Sequence, residues 1–542
     1  MRYLKPMACL FAVLVLAAAV AAEETTQPSV TVSSESVSGK PGLTPSDKLA
    51  ITNGTLTIAG KSLNYTATAG YMSLKDEAGK PRANVFFVAY TAGGSGQSPA
   101  VKGQAAASGS LTLVSGQIGT ATTIPAAAPA PAARPLMFVF NGGPGSAAVW
   151  LHLGAAGPKR IDIPADGTAP KAPYRLVDND ASWLPATDLV FVDPVSTGYS
   201  RPATPEQGKE FHGFHEDISS IGEFVRLYLT KNQRWDSPIF LAGESYGTTR
   251  AAGLAEHLQQ NVGVNVSGVV LISTVLNFAM LAPHEGNDLP YLTYLPTYTA
   301  VAWYHGKIKG KREDLLKEAE RFALNEYTVA LAKGASLSEE DRGKAAGKIA
   351  ELTGLTKEYV LACDLRIEPS RFEKELLRGD GKVVGRFDGR LTGWATDPAN
   401  DSAEWDPSFD GFLTAYTSAM NEYARGTLKY ENDLPYEVLT GKVNPWNYNS
   451  GGWSGYLYVG DNLRNAMTRN PNLKLLIAAG WYDLATPYFG VDYTANHLGL
   501  AKDLRKNITQ TYYAGGHMVY HERTAAEQLE RDVARMIESA VH

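Results

Sequence analysis

Pro238-Ile239-Phe240-Leu241-Ala242-Gly243-Glu244-Ser245-Tyr246-Gly247 decides the fold. An apolar run short enough for a buried strand leads straight into Gly-x-Ser-x-Gly. Between a strand and a helix this pentapeptide is a nucleophile elbow. Its two glycines let the backbone turn so sharply that the Ser245 hydroxyl projects from the top of the sheet. A serine hydroxyl is a poor nucleophile unaided, so the elbow calls for a base and an orienting acid elsewhere in the chain.

Working outward, apolar strands alternate with helical stretches. Leu136 to Phe140, Asp188 to Asp193, Ile239 to Ala242, Val269 to Ile272, Leu473 to Ala478 and Asn507 to Tyr513 read as strands. His215 to Tyr228 has helical spacing, and Thr524 to Ser539 reads as a final amphipathic helix. Such alternation predicts a mostly parallel sheet covered by helices on both faces. Before it, Leu56 to Ile58, Leu63 to Ala67 and Asn84 to Tyr90 predict an antiparallel opening, with turns at Gly60 and Gly79-Lys80-Pro81. The alternation breaks near Asn277 and resumes near Tyr456. The intervening helical stretches, Glu313 to Lys333 and one after the capping box Ser336-Leu337-Ser338-Glu339, predict a mainly helical lid insertion over 277–455. Aromatic residues cluster between Tyr291 and Tyr304 and are read as core. The sheet is thus expected in two parts, 47–276 and 456–542, with a Gly/Ser/Ala/Pro-rich surface loop at 93–133.

The N-terminus reads as an export signal over 1–22: Arg2 and Lys5, the apolar run Leu10 to Val20, then small residues. A Ser/Thr-rich mobile leader is expected over 23–46. No later stretch is long and apolar enough for a membrane span, so an exported protein, periplasmic or secreted, is expected. A net charge of -6 gives no reason to expect nucleic acid as a partner. Of two cysteines, Cys9 would leave with the signal and Cys363 would stand alone, which points to a bacterial periplasm or secretion over a cross-linked eukaryotic enzyme. No cofactor is expected: His284-Glu285 lacks the second histidine of a zinc motif, and there is no phosphate-binding lysine loop.

Asp483 and His517 are the proposed orienter and base. Asp483 follows the strand ending at Ala478, and His517 follows the strand ending at Tyr513, so both fall at carboxyl ends, the edge where Ser245 emerges. His517 would take the serine proton, and Asp483 would fix its tautomer. His521, the nearest rival histidine, is expected to cap or pack on the last helix. Phe140-Asn141-Gly142-Gly143-Pro144-Gly145 ends an early strand with glycine amides free to face a cavity. The amides of Gly143 and Tyr246 form the candidate oxyanion hole.

Asn141-Gly142-Gly143-Pro144-Gly145-Ser146, Gly243-Glu244-Ser245-Tyr246-Gly247 and Gly516-His517, in that order, resemble three signatures of the serine carboxypeptidase family. Val192-Asp193-Pro194-Val195 with Gly198-Tyr199-Ser200 is similar to a fourth, structural one. The resemblance runs from about Leu56 to the C-terminus and thins in the lid. It implies an α/β-hydrolase fold, no cofactor, peptide substrates with a free C-terminus, and a carboxylate-binding group of Asn141, Gly142 and Glu244. Oligomeric state is left open, since family members occur as monomers and dimers. Two carboxyls in contact share one proton, so such a pair grips a peptide terminus best below neutral pH. The chain departs from the family pattern at Ser146, where a cysteine is usual, at Val139, where a tryptophan is usual, and at Ala155, where a second acid usually stands. The implied activity is removal of C-terminal residues through an acyl-enzyme on Ser245. The alternatives are an esterase or acyltransferase on the same triad, or an inactive binding protein on the same scaffold.

Overall fold

The computed structural model describes residues 49–93, 133–449 and 455–542. The export signal, the leader and all but the ends of the low-complexity loop lie outside the described residues. The strands that build the sheet are β1 (Ala50–Ile58), β2 (Lys61–Lys75), β3 (Pro81–Ala92), β4 (Leu136–Phe140), β5 (Asp188–Val192), β6 (Ile239–Glu244), β7 (Val266–Ile272), β8 (Lys474–Gly480) and β9 (Ile508–Tyr513). In space they run β1-β2-β3-β5-β4-β6-β7-β8-β9, with Arg201–Pro202 as a short tenth strand on β3. The first three pair antiparallel, and β3 meets β5 antiparallel. Every pair from β5 to β9 is parallel. This is the α/β-hydrolase fold, with the antiparallel opening and parallel body expected.

Alternate residues of the parallel strands face opposite layers, as a pleated strand requires. Phe138, Leu241, Leu271 and Ile477 pack with Ile221, Phe224 and Val225 of α1 (Phe214–Lys231) and with Leu254 of α2 (Tyr246–His257). Val139, Ala242, Val270 and Leu476 face the other layer, where Leu529, Val533 and Met536 of the final helix pack. A sheet buried on both sides explains why these strands read as unbroken apolar runs.

Between β7 and β8 the chain is largely helical and carries one two-stranded ribbon, Lys382–Val384 with Thr392–Trp394. The aromatic cluster forms α3 (Leu289–Tyr304), which is buried from Pro290 to Ala302 and shares a core with Phe322, Ile349 and Phe372, while Tyr304 at its end is exposed. That core also takes in Tyr482, Leu484 and Tyr488, so these helices are anchored to the segment following β8. The cap reading at Ser336 is corrected. Ser336 lies in a short turn, and the helix Glu339–Thr353 is capped by Ser338, whose hydroxyl accepts from the Asp341 amide. The reciprocal arm of a capping box needs Glu or Gln at that third position. Asp341 stands there, so a single cap forms. The remaining helices used below are α4 (Asp410–Glu422) and α5 (Arg523–Val541).

Candidate active site

Sheet register sets the site. Phe140 pairs with Gly243, Glu244 with Ile272, and Ile272 with Ala478, so β4, β6, β7 and β8 end on one line. The residues that follow them, Asn141, Ser245, Ser273 and Asp483, leave from the same edge. His517 joins them from beyond β9.

Ser245 is half-buried and adopts φ 57°, ψ −128°, a conformation costly for a side-chain-bearing residue. The elbow holds it there. Its amide donates to Ile272 O at 3.0 Å, and Thr248 Oγ1 donates to its carbonyl at 2.6 Å. A Cβ on Gly243 would sit 2.0 Å from Gly247 O, and one on Gly247 would sit 2.7 Å from Phe140 O. The two motif glycines are therefore required by close backbone approach.

Asp483 is fully buried, and its carboxylate accepts four hydrogen bonds. Oδ1 accepts from the Ala485 and Thr486 amides at 2.8 and 2.9 Å; Oδ2 accepts from Thr486 Oγ1 at 2.7 Å and bonds His517 Nδ1 at 2.8 Å. With Nδ1–H assigned to that contact, His517 Nε2 is the free lone pair. A Ser245 Oγ to His517 bond is not among the hydrogen bonds of the described residues, and in a free enzyme such contacts are commonly long. One short segment ties serine and histidine together through the main chain. Ile272 O receives the Ser245 amide, and the next residue, Ser273, donates its hydroxyl to His517 O at 2.6 Å. From the helical insertion, Phe387 O accepts the His517 amide at 2.6 Å, and the Phe387 ring lies 4.8 Å from the imidazole.

Gly143 has φ 101°, and a Cβ there would meet the Gly145 and Ser146 amides at 2.8 and 3.1 Å. The loop is a tight turn that only glycine fits at 143, closed by the Ser146 amide donating to Gly142 O at 3.1 Å. Tyr246 opens α2, so its amide has no intrahelical acceptor. Gly142 lies against the nucleophile: a Cβ there would be 2.4 Å from Tyr246 N and 2.8 Å from Ser245 Cβ.

Asn141 and Glu244 are both buried, and Asn141 Nδ2 donates to Glu244 Oε1 at 2.9 Å. Asn141 is fixed on its other sides, accepting from the Leu151 amide at 3.0 Å through Oδ1 and from Arg250 Nη1 at 2.7 Å through its carbonyl. Burial pushes the Glu244 carboxyl up to about 7, against the nearby His517, Tyr520 and Asn141, which favour its charged form. Its Oε2 is buried and, among the described residues, has no partner in hydrogen-bond geometry. Position 155, where the family resemblance would put a second acid, is a buried alanine.

His521 is corrected. It precedes α5, but its ring stacks on Phe412 of α4 at 4.2 Å and its Nε2 contacts Tyr416 at 3.0 Å. The α4 helix comes from the insertion and is remote in sequence, so proximity to the last helix misled. Four neighbours of the site went unread: Thr486, Ser273, Phe387 and Tyr520. Only Thr486 left a local signal, a hydroxyl three residues after an acid in a loop. Asp193, in the fourth motif, is structural: it is buried and accepts from the Ala148 amide at 2.9 Å. Among the described residues there is no group of three or more His, Cys, Asp and Glu side chains able to hold a metal ion. No helix among them is long and apolar enough to cross a membrane.

Fold and strand-end geometry define an α/β hydrolase. The serine carboxypeptidase family model matches residues 124–530, and the chain belongs to that family. It is 32% identical over 120 residues to the pheromone-processing carboxypeptidase KEX1 of Saccharomyces cerevisiae, covering 21% of this chain and 15% of that protein. It is 30% identical over 165 residues to serine carboxypeptidase-like 45 of Arabidopsis thaliana, covering 28% and 32%. The chain thus spans less than a third of the length of these curated relatives. Among solved structures it is similar to a thermostable carboxyl esterase from Bacillus coagulans, at 13% identity and a TM-score of 0.34 over 88% of this chain and 99% of that one. The fold rests on the strand order and not on that likeness.

Proposed function

We propose that this protein is a serine carboxypeptidase that removes C-terminal residues from peptides, best at acidic pH, through an acyl-enzyme on Ser245. The carrying observation is the buried Asn141–Glu244 hydrogen bond at 2.9 Å, on the residue next to the elbow serine. With its carboxyl held at about 7, Glu244 keeps a proton in acid and shares it with the peptide's terminal carboxylate. Above that pH two negative charges face each other, and the terminus is released.

His517 Nε2 takes the Ser245 proton as Oγ attacks the carbonyl carbon. The Gly143 and Tyr246 amides receive the oxyanion. His517 then protonates the leaving amine, the C–N bond breaks, and the C-terminal amino acid departs. Water attacks the ester, its proton passing to His517 and back to Ser245 as the shortened peptide leaves with a carboxylate. Asp483 orients the imidazole throughout. Residues 277–455 act as a lid that shapes the side-chain pockets, and segment 1–22 directs export to the periplasm or beyond.

The test is timed release of amino acids from a defined peptide between pH 4 and 8, beside the same peptide with an amidated terminus. KM for the free acid is expected to rise through pH 7 while that for the blocked peptide stays level. Equal pH dependence would sink the role of Glu244. Preference for the blocked substrate at every pH would favour the esterase or acyltransferase alternative, a reading that the alanine at 155 keeps open.

A further inference from the structure

The carboxylate pair is built with one acid, and what fills the place of the second is informative. Ala155 lies in the wide helical turn His152–Ala156. A Cβ on its neighbour Gly154 would come within 2.3 Å of the Tyr416 hydroxyl and 2.5 Å of the Tyr520 ring. Two tyrosines therefore close over this turn, and the glycine is what admits them. Their hydroxyls differ. Tyr416 is engaged with His521 Nε2 at 3.0 Å. Among the described residues, neither the buried Tyr520 hydroxyl nor Glu244 Oε2 has a partner in hydrogen-bond geometry. The two atoms share one place, close to each other and to Asn141 but short of hydrogen-bond geometry: the Tyr520 hydroxyl and the Glu244 carboxyl each bias the other's titration. Burying polar atoms unpaired is costly, and native proteins tolerate it where function uses the free valence.

We infer that Tyr520 is a third substrate-binding group, whose hydroxyl donates to the peptide's terminal carboxylate beside Asn141 and Glu244, in the role that position 155 cannot fill. This inference rests on the carboxypeptidase reading above. A phenol suits the task because it offers a proton without carrying charge. Burial, then the charge of Glu244, hold the Tyr520 phenol well above the ordinary tyrosine range, so it stays a donor wherever the triad works. The charged and titratable groups facing this cluster are Glu244, Tyr416 and His521 around Tyr520, His517 and Asp483 around Glu244, and Arg160 near Tyr416. Tyr520 is a donor beside Glu244 that does not titrate in the working range, so part of the grip outlasts ionisation of Glu244.

The experiment compares kcat and KM of wild type, Tyr520→Phe, Tyr416→Phe and Glu244→Gln on an N-blocked dipeptide with a free or an amidated C-terminus. Tyr520→Phe is expected to raise KM for the free acid about tenfold, the loss of one hydrogen bond to a charged group, with kcat held within about twofold and the amide unaffected. Tyr416→Phe deletes an equally buried hydroxyl from the same turn and should leave the free-to-amide ratio unchanged. A Tyr520→Phe effect equal on both substrates, or absent, overturns the inference. If Glu244→Gln changes the ratio and Tyr520→Phe does not, only Tyr520 is excluded. If neither changes it, the carboxypeptidase reading itself falls. Should Tyr520→Phe fail to fold, Tyr520→Gln against Tyr520→Leu supplies the same contrast, with the amide donor expected to keep the lower free-acid KM and equal values overturning the inference.

Discussion

The Asp483–His517 side of the site and the Asn141–Glu244–Tyr520 side are built on opposite terms. Asp483 is fully buried with both oxygens bonded, and His517 is gripped at amide, carbonyl, ring face and Nδ1. Across the serine, Glu244 and Tyr520 are as deeply buried yet each keeps an unpaired oxygen. The first side needs only to hold still, so every valence is spent on rigidity. The second must grip a ligand and let it go, so valence is left over for that ligand. Under the proposed function the first side acts in catalysis and the second in binding, and substitutions on the two sides should divide between kcat and KM.

The sharpest break is Asp483→Asn. It should lower kcat by about 10^4-fold by disturbing the imidazole tautomer, with the free-to-blocked KM ratio kept. A large change in that ratio would merge the two sides. Next comes Gly142→Ala, whose Cβ would press 2.4 Å from the Tyr246 amide and 2.8 Å from Ser245 Cβ. Removal of about one oxyanion donor's worth of stabilisation should cost roughly 10^2-fold in kcat on the blocked substrate, and KM for the free acid should rise as well, since Gly142 also belongs to the expected carboxylate-binding group. Glu244→Gln tests the other side: KM for a free-acid peptide should lose its rise through pH 7, and kcat for a blocked ester should stay within about threefold. A flat free-acid profile in the wild type would break the comparison outright.

The smallest effect is on stability. Burial holds Asp193 and Glu244 at about 7 and Glu373 at about 8, all above the roughly 4 of an unfolded chain. The native state therefore keeps these protons longer. The stability they contribute is full below about pH 4 and is lost as pH rises through 7 and 8. Buried His152 and His521, lowered to about 3, work the other way and lose stability as pH falls below about 6.5. As pH rises past about 6.5 both histidines become neutral in the unfolded state too, so their opposing effect fades and the carboxyls dominate. Tm should fall between pH 6.5 and 8.5 in thermal unfolding, less steeply in Glu244→Gln. A flat or rising Tm would mean that these carboxyls ionise normally in the fold.

The sequence by itself determined the elbow, the alternation of strand and helix, and the order Ser245, Asp483, His517. Each is a local pattern, an apolar run ended by residues whose backbone freedom or chemistry is legible within about ten positions. The antiparallel opening was readable for the same reason, its strands being adjacent and joined by short turns. Only the tertiary structure decided that Phe387 braces His517, that Thr486 bonds both Asp483 and His517, that His521 packs on α4, and that Tyr520 closes over Gly154. Except for Thr486, those contacts join segments far apart in the chain and follow no period. They are fixed by how volumes and unpaired polar atoms meet once the sheet edge and the helices of the insertion close on one another.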